Sequence, residues 1–521
     1  MARPLGRALP RGRRPRGHRE AAGVLALWRA AGRSVVPQGG CTGLVGGQTP
    51  MDPRAVVIAR DRIALILSLD PAARTIAVQA GVTLAHVQAA GEHGLTFPVS
   101  MASEGSAQVG GANATNAGGI GVLANGSMRA QVLALEVVLP DGRIWNGSRA
   151  LRRDTAGYDR EHLFIAAEGT LGLVTAAVSR LLPAPRARAT IRLVVPDPAA
   201  ALAVLGDLQA AAGPGLTACE LISPAALDLA LAHDPRWRAP VAATGWHLLA
   251  ELSRADEPGL AALAEAALAP ALERGVARDA ALASGGAQRA AMWALRERLT
   301  EAQARRPAQI IHDIAVPIAQ VPAFLAAADG AVTRLAPAAR PVPFGHLGDG
   351  NIHYNLVAEA PFAADIAAAL TGAVHAAALD CGGTFAAEHG IGQLKRDALA
   401  RIRSEIELDL MTALNRALDP AGLMNPATLL PDRGEHDPDR ACAEKRAAGR
   451  AARHGDARMR REPCRASRRS LRNAGRRPNP RRPPRPDASA ASRRRGPWRR
   501  PARGDPPRRQ VNWTETVPSG P

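Results

Sequence analysis

The chain of 521 residues has few aromatic side chains and few cysteines. Aromatic residues make up 3% of it and hydrophobic residues 46%, so aliphatic side chains must fill its cores. The cysteines are Cys41, Cys219, Cys381, Cys442 and Cys464, and no two of them form a C-x-x-C pair. This spacing indicates neither a disulfide framework nor a cysteine-based zinc or iron–sulfur site, and it predicts a reducing, cytoplasmic compartment.

Long hydrophobic runs are also missing. No apolar segment reaches about 18 residues, which predicts that the chain has no membrane-spanning helix. The Arg-rich start followed by “AAGVLALW” is similar in composition to a targeting peptide. Because this apolar stretch is short and ends at Arg29, we interpret it instead as a helix that leads into the strand “SVV”.

Basic charge is scarce in the body of the chain and concentrated at its ends. The net charge is +19, yet residues 433–521 hold 26 Lys and Arg against 9 Asp and Glu, and residues 1–20 hold 7 Arg and one Glu. Both ends offer too little apolar surface to offset the entropy of ordering, so we predict that 1–20 and 433–521 are disordered. The tail is either a segment that binds nucleic acid or a membrane, or an extension without a function.

The two most familiar nucleotide-binding signatures are absent. Neither G-x-x-x-x-G-K-[ST] nor a G-x-G-x-x-G that opens a helix occurs. Three other glycine-rich segments do: “PQGGCTGLVGG” at 37–47, “GSAQVGGANATNAGG” at 105–119 and “AAEGTLGLVT” at 166–175. Without a Cβ in the way, such backbone can bring N–H groups close to an anion. Three of these segments together predict one long ligand that contains phosphate.

Hydrophobic periodicity predicts two folded regions. Up to about residue 188, short β-branched runs such as “AVVIA” and “TIAVQAG” alternate with helix signals, and “PDG” predicts a hairpin turn. After that, the strands “TIRLVV”, “ACELIS” and “HLLAEL” surround a helix through “AAALAVLGDLQAAAG”. This alternation predicts a domain with an antiparallel sheet, and the fold class of the chain as α+β.

Histidine and glutamate occur together in two glycine-containing motifs. “PFGHLGDGNIHYNL” carries His346 and His353 across a Gly-Asp-Gly turn, and “GGTFAAEHGIGQLK” carries Glu388 and His389. A strand–turn–strand would bring the two imidazoles together, and with a carboxylate they could bind a divalent cation. Either motif alone is more typical of structural histidines in tight turns, but the two together favour a metal site.

Two further pairs of residues are spaced to share a face of their element. Arg296 and Thr300 lie four residues apart in the predicted helix “MWALRERLTEA”, and His353 and Asn355 lie two apart in a predicted strand. An arginine can bind a carboxylate through two parallel hydrogen bonds. The alternative for Arg296 is a solvated arginine on a helix surface.

The chain resembles a known family in four segments. “PQGGCTGLVGG”, “GGANATNAGGIG”, “DTAGYD” and “EGTLGLVT” resemble the FAD-binding domain of the vanillyl-alcohol-oxidase type. The most similar branch is the FAD-linked D-2-hydroxyacid dehydrogenases, which include D-lactate, glycolate and D-2-hydroxyglutarate dehydrogenases. The resemblance implies an FAD-binding domain of two subdomains at 21–188. It also implies an α+β substrate domain at 189–432, the end of which returns to the flavin.

The resemblance further implies which residues contact FAD. The pyrophosphate would lie on segment 37–44, and other contacts would come from the second and third glycine-rich segments and the C-terminal “NPA”. The implied FAD residues are Pro37, Gly39, Gly40, Cys41, Thr42, Gly43, Leu44, Gly105, Ser106, Gly110, Gly111, Asn113, Thr115, Asn116, Gly119, Glu168, Gly169, Val174 and Asn425.

For catalysis, the resemblance implies a divalent metal, often zinc. His346, His353 and Glu388 would bind the metal, His389 would be the base, and Arg296, Thr300 and Asn355 would contact the substrate. Oxidation of the 2-hydroxy acid would remove the hydroxyl proton and move a hydride from C2 to flavin N5. Since there is no NAD fingerprint, electrons would leave to an external acceptor: a quinone, an electron-transfer flavoprotein or a cytochrome.

Two residues and the N-terminal segment depart from the family pattern. Cys41 stands where asparagine is usual, which makes it either a covalent flavin link or a small side chain beneath the cofactor. Ile311 stands where some D-2-hydroxyglutarate dehydrogenases have a lysine, so hydroxyglutarate and lactate both stay open as substrates. The extra N-terminal strand of the family is expected to be missing, because an Arg-rich segment replaces it.

Several alternatives therefore stay open. The chain could be a related FAD enzyme such as an alcohol oxidase or an ether-lipid synthase, a defective family member, or a basic protein that binds nucleic acid through 433–521. The paired His and Glu-His motifs argue against the first. The oligomeric state is also open, with a homodimer as one option.

Overall fold

The computed structural model of the chain describes residues 11–431, apart from 235–239, 243 and 256–257. The tail predicted to be disordered at 433–521 and the first ten residues lie outside the described residues. Within the described ranges, helices are combined with five sheets, which confirms the predicted α+β class. None of the helices described is both long and apolar enough to cross a membrane.

The first half of the described chain forms three of these sheets. Its strands are β1 (Arg11–Arg13), β2 (Val35–Gln38), β3 (Val56–Ala59), β4 (Ile66–Asp70), β5 (Thr75–Gln79), β6 (Leu95–Thr96), β7 (Val132–Val138), β8 (Ile144–Asn146), β9 (Leu173–Arg180) and β10 (Leu182–Pro183). Its α-helices are α1 (His18–Ala30), α2 (Leu84–Val87), α3 (Val109–Thr115), α4 (Val122–Asn125) and α5 (Met128–Gln131), with 3₁₀ helices at Gln88–His93 and Glu161–Leu163.

A small parallel sheet has the order β1-β3-β2. The prediction that 1–20 is disordered and that a first strand is missing is wrong for residues 11–20, which form β1 and the start of α1. An edge strand pairs through its backbone, so it can form without alternating apolar side chains. Two arginines of this segment also contact other residues. The guanidinium of Arg13 lies 5.8 Å from the ring centroid of Trp28, and Arg14 pairs with Asp61 at 3.1 Å.

The second subdomain is a five-stranded antiparallel sheet with the order β4-β5-β9-β7-β8. Its central strands β9 and β7 are almost wholly buried, because they are covered on both faces. The predicted hairpin at “PDG” is confirmed between β7 and β8, with Gly142 at a φ of +87° that favours glycine. β6 and β10 form a separate antiparallel pair.

The second half of the described chain forms the remaining two sheets. Its strands are β11 (Ala187–Val195), β12 (Leu216–Ile222), β13 (Trp246–Arg254), β14 (Asp279–Leu282), β15 (Ala308–Ile310), β16 (Asp313–Ala315), β17 (Arg340–Pro341), β18 (Phe344–His346), β19 (Asn351–His353) and β20 (Leu356–Ala358). Its α-helices are α6 (Pro198–Ala212), α7 (Pro224–His233), α8 (Leu260–Glu273), α9 (Gly286–Ala304), α10 (Val321–Leu335), α11 (Ala364–Asp380) and α12 (Glu405–Leu418), with 3₁₀ helices at Gly213–Gly215, Ile318–Gln320 and Arg396–Arg401.

The large sheet has the order β14-β11-β13-β12-β18-β19-β16 and is antiparallel throughout, as predicted. Along β12, Cys219 and Leu221 pack into the cluster that includes α6, α8, α10 and α11. Ala218 and Ile222 point to the other face, where α7 and α9 pack. Glu220 lies between these two on the same face, and this alternation turns its carboxylate toward α9. The predicted domain boundary at 188/189 falls inside β11.

The end of the described chain returns to the parallel sheet. α12 begins at a capping box between Ser404 and Glu407 and ends before “DPAGLMNP”. The backbone N–H of Val35 then donates to Leu423 O at 2.8 Å, and the N–H of Asn425 donates to Val35 O at 2.7 Å. Residues 423–425 therefore lie beside β2, directly before the first glycine-rich segment.

Candidate active site

The first and second glycine-rich segments are in direct contact. A side chain at Gly40 would collide with the carbonyl oxygen of Ser106. A Cβ at Gly39 would lie 3.1 Å from Nη2 of Arg60, and one at Gly110 would lie 2.5 Å from Nη1 of the same residue. Glycine is therefore required at Gly40, where a Cβ would meet backbone, and at Gly110, where a Cβ would also lie 2.7 Å from Cβ of Ala80. At Gly39 only the ends of neighbouring side chains would have to move.

The third glycine-rich segment joins the other two. A Cβ at Gly169, which has a φ of +75°, would lie 3.0 Å from Cγ of Pro37. The backbone N–H of Glu168 donates to Ala114 O, in the second segment, at 2.7 Å. The structure thus brings together the three segments for which the sequence predicts one shared ligand.

The place where they meet is suited to a phosphate. β2 and β3 are parallel and both end here, and ligands of parallel sheets bind beyond the carboxyl ends of the strands. The backbone at Gly39 and Gly110 lies against the guanidinium of Arg60, and the buried Nε of Arg60 has no hydrogen-bond partner among the described residues. These residues fit the FAD predicted for them.

Other predicted FAD residues hold the second segment in shape. Asn113 is fully buried and donates from Nδ2 to Val109 O at 3.0 Å. The hydroxyl of Thr115 donates to Gly111 O at 3.1 Å. Oδ1 of Asn116 accepts from the Ser127 hydroxyl at 2.8 Å. A side chain at Gly119 would collide with a backbone carbonyl, whereas the space around Gly105 is open.

The remaining predicted FAD residues are divided between exposed and buried positions. Thr42 and Leu44 are exposed, and Gly43 O accepts from Nε2 of Gln48 at 2.9 Å. Val174 is buried, and its carbonyl oxygen accepts from Nη1 of Arg60 at 3.5 Å. The FAD contacts of the individual residues stay predictions.

Cys41 is exposed and has a left-handed backbone. Its φ is +57°, a region that L-residues other than asparagine and aspartate rarely adopt. The thiol Sγ lies 3.6 Å from Gly39 O, and partial burial raises the thiol pKa. The raised pKa disfavours the thiolate, which is the reactive form of cysteine.

β18 and β19 pair across the Gly-Asp-Gly turn, which confirms the predicted strand–turn–strand. Their pairing places the ring centroids of His346 and His353 5.6 Å apart. The rings of His353 and His389 are stacked, with centroids 5.7 Å apart. Two motifs distant in sequence therefore meet, as predicted.

A group of four side chains could hold a metal ion. Asp313, His353, Glu388 and His389 each offer one ligand atom, and these atoms lie within 4.8 Å of one another. Two imidazoles and two carboxylates are ligands that zinc and similar cations accept. Three of the four carry predicted roles, as metal ligands or base, and Asp313 was not predicted.

Asp313 also fixes the loop that carries Glu388 and His389. Its Oδ2 accepts from the backbone N–H groups of both residues, at 2.9 and 2.8 Å. Its Oδ1 accepts from Nδ2 of Asn351 at 3.0 Å. Burial opposes the charged form, but the charges of His389, Lys395 and His353 hold the pKa of Asp313 well below its ordinary value.

The pKa of Glu388, the second carboxylate of the group, is shifted in the opposite direction to that of Asp313. Burial raises the pKa of Glu388, and the negative charge of Asp313 adds to this, although His346 opposes it. Burial, together with the charges of His346 and Arg296, lowers the pKa of His353 well below its ordinary value. A neutral imidazole is the form that binds a metal.

His346 lies beside this group and is bonded to Glu220. Nδ1 of His346 and Oε1 of Glu220 are 2.5 Å apart. Although burial works against it, the charge of Glu220 raises the pKa of His346 to about 9. The charges of His346 and Arg296 outweigh burial and hold the pKa of Glu220 well below its ordinary value.

Arg296 is buried rather than a solvated helix arginine. Its Nε donates to Oε2 of Glu220 at 2.6 Å, and its guanidinium lies 4.7 Å from the ring centroid of Phe344. Thr300 is on the same helix, α9, but is exposed. The helix is as predicted, and the two side chains differ in burial.

Asn355 lies beyond the end of β19, so the shared strand face predicted for it and His353 is wrong. Nδ2 of Asn355 donates to Oε1 of Gln303 at 2.7 Å, and its Oδ1 accepts from the backbone N–H of His312 at 3.0 Å.

A cavity of about 250 Å³ lies between the second glycine-rich segment and the metal-ligand group. A Cβ at Gly118 would lie 3.5 Å from Oε2 of Glu388, so the two sides are close. The cavity is lined by Asn116, Gly118, Gly119, Val122, Ser127, Ala315, His346, Asp349, Asn351, Ala387 and Glu388. A small polar molecule in this cavity would contact both the second glycine-rich segment and the metal-ligand group.

Glu168 and Asn425 connect the flavin segments to the rest of the site. The two carboxylate oxygens of Glu168 accept from the backbone N–H groups of Ile391 and Gly392, at 2.8 and 2.7 Å. Nδ2 of Asn425 donates to Gly47 O at 2.9 Å and to Glu168 O at 2.7 Å. The loop that follows His389 is thus attached to the third glycine-rich segment.

Comparison with known proteins agrees with this arrangement. The family model “FAD binding domain” matches residues 13–148, and “FAD linked oxidases, C-terminal domain” matches residues 184–429. A D-2-hydroxyglutarate dehydrogenase of Xanthomonas citri pv. viticola is 37% identical over 433 residues, which cover 82% of this chain and 89% of that protein. The chain belongs to the family of FAD-linked D-2-hydroxyacid dehydrogenases. It is an FAD-dependent oxidoreductase that acts on CH–OH groups.

Other relatives agree with this membership. The mitochondrial D-2-hydroxyglutarate dehydrogenase of Bos taurus is 35% identical over 420 residues, which cover 80% of this chain and 76% of that protein. A solved structure of p-cresol methylhydroxylase with substrate bound has a TM-score of 0.64 at 14% identity and covers 81% of this chain and 89% of that one. This likeness concerns the fold alone, and it confirms the predicted vanillyl-alcohol-oxidase type.

The site of this D-2-hydroxyacid dehydrogenase includes residues that sequence reasoning missed. Glu220 is the one charged residue in the otherwise apolar strand segment “ACELI”, and Asp313 opens the strand “DIA”. A charge inside a buried strand is costly unless it is paired, so both positions carried a signal. Arg60, at the end of β3, carried the same signal.

Proposed function

We propose that the chain oxidises D-2-hydroxyglutarate or D-lactate to the corresponding 2-oxo acid, with FAD as the hydride acceptor. One observation carries the proposal: a single cavity is lined by Asn116, Gly118 and Gly119 from the flavin side and by His346 and Glu388 from the metal side. A hydroxy acid in this cavity would have the flavin segments on one side and metal-ligating side chains on the other. The names of the relatives favour D-2-hydroxyglutarate.

His346, His353 and Glu388 would hold a divalent metal, with zinc as our first choice, and Asp313 is a fourth candidate. When bound, such a cation lowers the pKa of a hydroxyl group and orients a carboxylate. Nδ1 of His346 is occupied by Glu220, so its Nε2 is the atom left for a metal. A histidine whose other nitrogen donates to a carboxylate is a common arrangement in metal sites.

His389 would act as the base that takes the hydroxyl proton. Its ring lies against His353, and its backbone N–H is fixed by Asp313, so the imidazole is held next to the proposed metal ligands His353 and Glu388. A positioned imidazole typically contributes a factor of about 10²–10⁴ to such a proton transfer.

Arg296 would bind the substrate carboxylate. Its Nε is bonded to Glu220, which leaves the two terminal nitrogens as donors. Thr300 and Asn355 are the other proposed contacts. Asn355 would reach a substrate only by exchanging its bond to Gln303.

Electrons would leave the reduced flavin to an external acceptor, and we propose a quinone, an electron-transfer flavoprotein or a cytochrome. A cytoplasmic location stays a prediction, since the name of the Bos taurus relative places that protein in mitochondria. A homodimer also stays a prediction.

An anaerobic substrate screen tests the proposal. D-2-hydroxyglutarate, D-lactate and glycolate are added separately to the purified flavoprotein, with L-2-hydroxyglutarate and ethanol as controls, and the visible flavin absorption is followed. We expect bleaching by D-2-hydroxyglutarate or D-lactate, and much less by the L-enantiomer. If no D-2-hydroxy acid bleaches the flavin, the proposal is wrong.

A further inference from the structure

Arg60 is a buried arginine at the carboxyl end of the parallel sheet. It directly follows β3, and its backbone N–H donates to Gln38 O, at the end of β2, at 3.2 Å. Its side chain is 4% exposed. The neighbouring strand β2 leads into the first glycine-rich segment, so the guanidinium lies at the edge of the sheet from which that segment departs.

The charge of Arg60 has no counterpart among the described residues. No carboxylate there forms an ion pair with it, and its Nε is buried without a hydrogen-bond partner. Within the described part of the chain, its one side-chain hydrogen bond is from Nη1 to Val174 O, at a long 3.5 Å. Burial lowers the pKa of the guanidinium to about 10, which still leaves it charged at neutral pH. A buried cation is costly unless it meets an anion.

The position of the guanidinium indicates where that anion lies. The guanidinium contacts all three glycine-rich segments. It lies so close to the first two that a Cβ at Gly39 would be 3.1 Å from Nη2 and a Cβ at Gly110 would be 2.5 Å from Nη1. Its hydrogen bond to Val174 O is the contact with the third segment. A Cβ at Gly111 would lie 3.8 Å from Nη2. The diphosphate is the only part of FAD that is charged at neutral pH.

We propose that Arg60 is the charge partner of the FAD diphosphate. A guanidinium presents paired N–H donors that match two phosphate oxygens, so it would supply the charge, and the glycine backbone would supply the remaining N–H groups. The inference rests on the flavin of the proposed function and not on its substrate.

A second buried arginine provides a matched control. Arg192, in β11, is fully buried, and burial lowers its pKa to about 10 as well. Its Nε contacts Nδ1 of His247 at 3.2 Å, so it lies in the substrate domain and away from the glycine-rich segments. A loss of stability common to removing any buried arginine would therefore occur in both variants.

The test compares two flavins that differ in the diphosphate. Purified wild-type protein, Arg60→Gln, Arg60→Lys and Arg192→Gln are stripped of bound flavin, and the affinities for FAD and for riboflavin are measured by quenching of flavin fluorescence. Riboflavin has no phosphate, so the ratio of the two affinities isolates the contribution of the diphosphate and adenosine part.

We expect Arg60→Gln to lower the FAD-to-riboflavin affinity ratio by roughly 10- to 100-fold, the value of a charge-assisted hydrogen-bonding pair. Arg60→Lys keeps the charge and should lower the ratio less, and Arg192→Gln should leave it unchanged. If Arg60→Gln does not fold, a reduced ratio in Arg60→Lys supports the assignment and an unchanged one overturns it.

Equal loss of both flavins in the Arg60 variants would mean that Arg60 only supports the loops, and the inference would be wrong. Because the measurement reads flavin binding, its failure differs from a failure of the substrate screen. A wild-type protein that bound neither flavin would overturn both proposals.

Discussion

Nδ1 of His346 and Oε1 of Glu220 lie 2.5 Å apart on the paired strands β18 and β12. The carboxylate can only accept, so Nδ1 carries the proton and Nε2 is directed to other partners. Glu220 thereby fixes the orientation and the tautomer of an imidazole that lines the cavity. If a metal binds as proposed, we expect Glu220 to affect its affinity.

Replacing Glu220 by glutamine should weaken zinc binding by about 10- to 100-fold, because the amide is a poorer acceptor for His346. The affinity is measured by competition with a chromogenic chelator. Glu251→Gln is the control, since Glu251 lies on the same sheet but contacts Trp293, at 3.0 Å. Equal zinc affinities in wild type and Glu220→Gln would contradict the proposed role of His346.

The same pair predicts a pH dependence of metal binding. Because Glu220 raises the pKa of His346 from 6.5 to about 9, the metal-free protein holds a proton there at neutral pH. A metal must displace this proton, so zinc affinity should increase with pH up to about 9 and then level off. Proton release on zinc addition, followed with a pH indicator in weak buffer, should decrease in Glu220→Gln. Equal release from both proteins would argue against His346 as the source.

Replacing His389 by asparagine should slow flavin reduction by about 10²- to 10⁴-fold while FAD content stays normal, because the base is lost and the flavin segments are untouched. Anaerobic stopped-flow absorption with D-2-hydroxyglutarate or D-lactate gives the rate. His93→Asn, at an exposed position, is the control. A normal rate in His389→Asn would remove His389 as the base.

Two buried histidines predict sensitivity to acid. Burial lowers the pKa of His375 to about 3 and that of His312 to about 4, from 6.5. The unfolded chain therefore binds protons more readily, so stability is full above pH 6.5 and falls as the pH decreases below it. Each group costs at most about 1.4 kcal/mol per pH unit in that window.

His375→Phe should lessen this acid sensitivity by about 1–2 kcal/mol between about pH 7 and pH 5. Phenylalanine keeps the stacking on Phe385, where the ring centroids are 4.2 Å apart. Urea unfolding at both pH values gives the difference, and the exposed His86→Phe should show none. An unchanged slope in His375→Phe would show that this histidine does not titrate on unfolding.

Cys41→Asn should stabilise the protein by about 0.5–1 kcal/mol, since asparagine tolerates the left-handed backbone at this position better than cysteine. Cys41→Ala removes the thiol without relieving the backbone and should give no gain. Both are compared by urea unfolding of the flavin-bound protein. We also expect acid precipitation of the wild type to release all the flavin, whereas flavin retained in the pellet would indicate a covalent bond to Cys41.

The sequence predicted those features that rest on local pattern. Alternation and turn residues located the strands, and the Gly-Asp-Gly turn located the pairing of His346 with His353. β1 was missed because a strand that pairs by backbone alone shows no apolar alternation. Glu220 and Asp313 were missed because their partners lie far away in sequence, and only the folded sheet brings them together.

The two hydrogen bonds that the Glu168 carboxylate accepts have a consequence for FAD and the proposed metal. They attach residues 391 and 392, just after the Glu388–His389 pair, to the backbone of the third glycine-rich segment. A metal held by Glu388, as proposed, would therefore also restrain part of the flavin pocket. Coupling between two binding sites is reciprocal, so any effect of the proposed metal on FAD affinity would be matched by an equal effect of FAD on metal affinity.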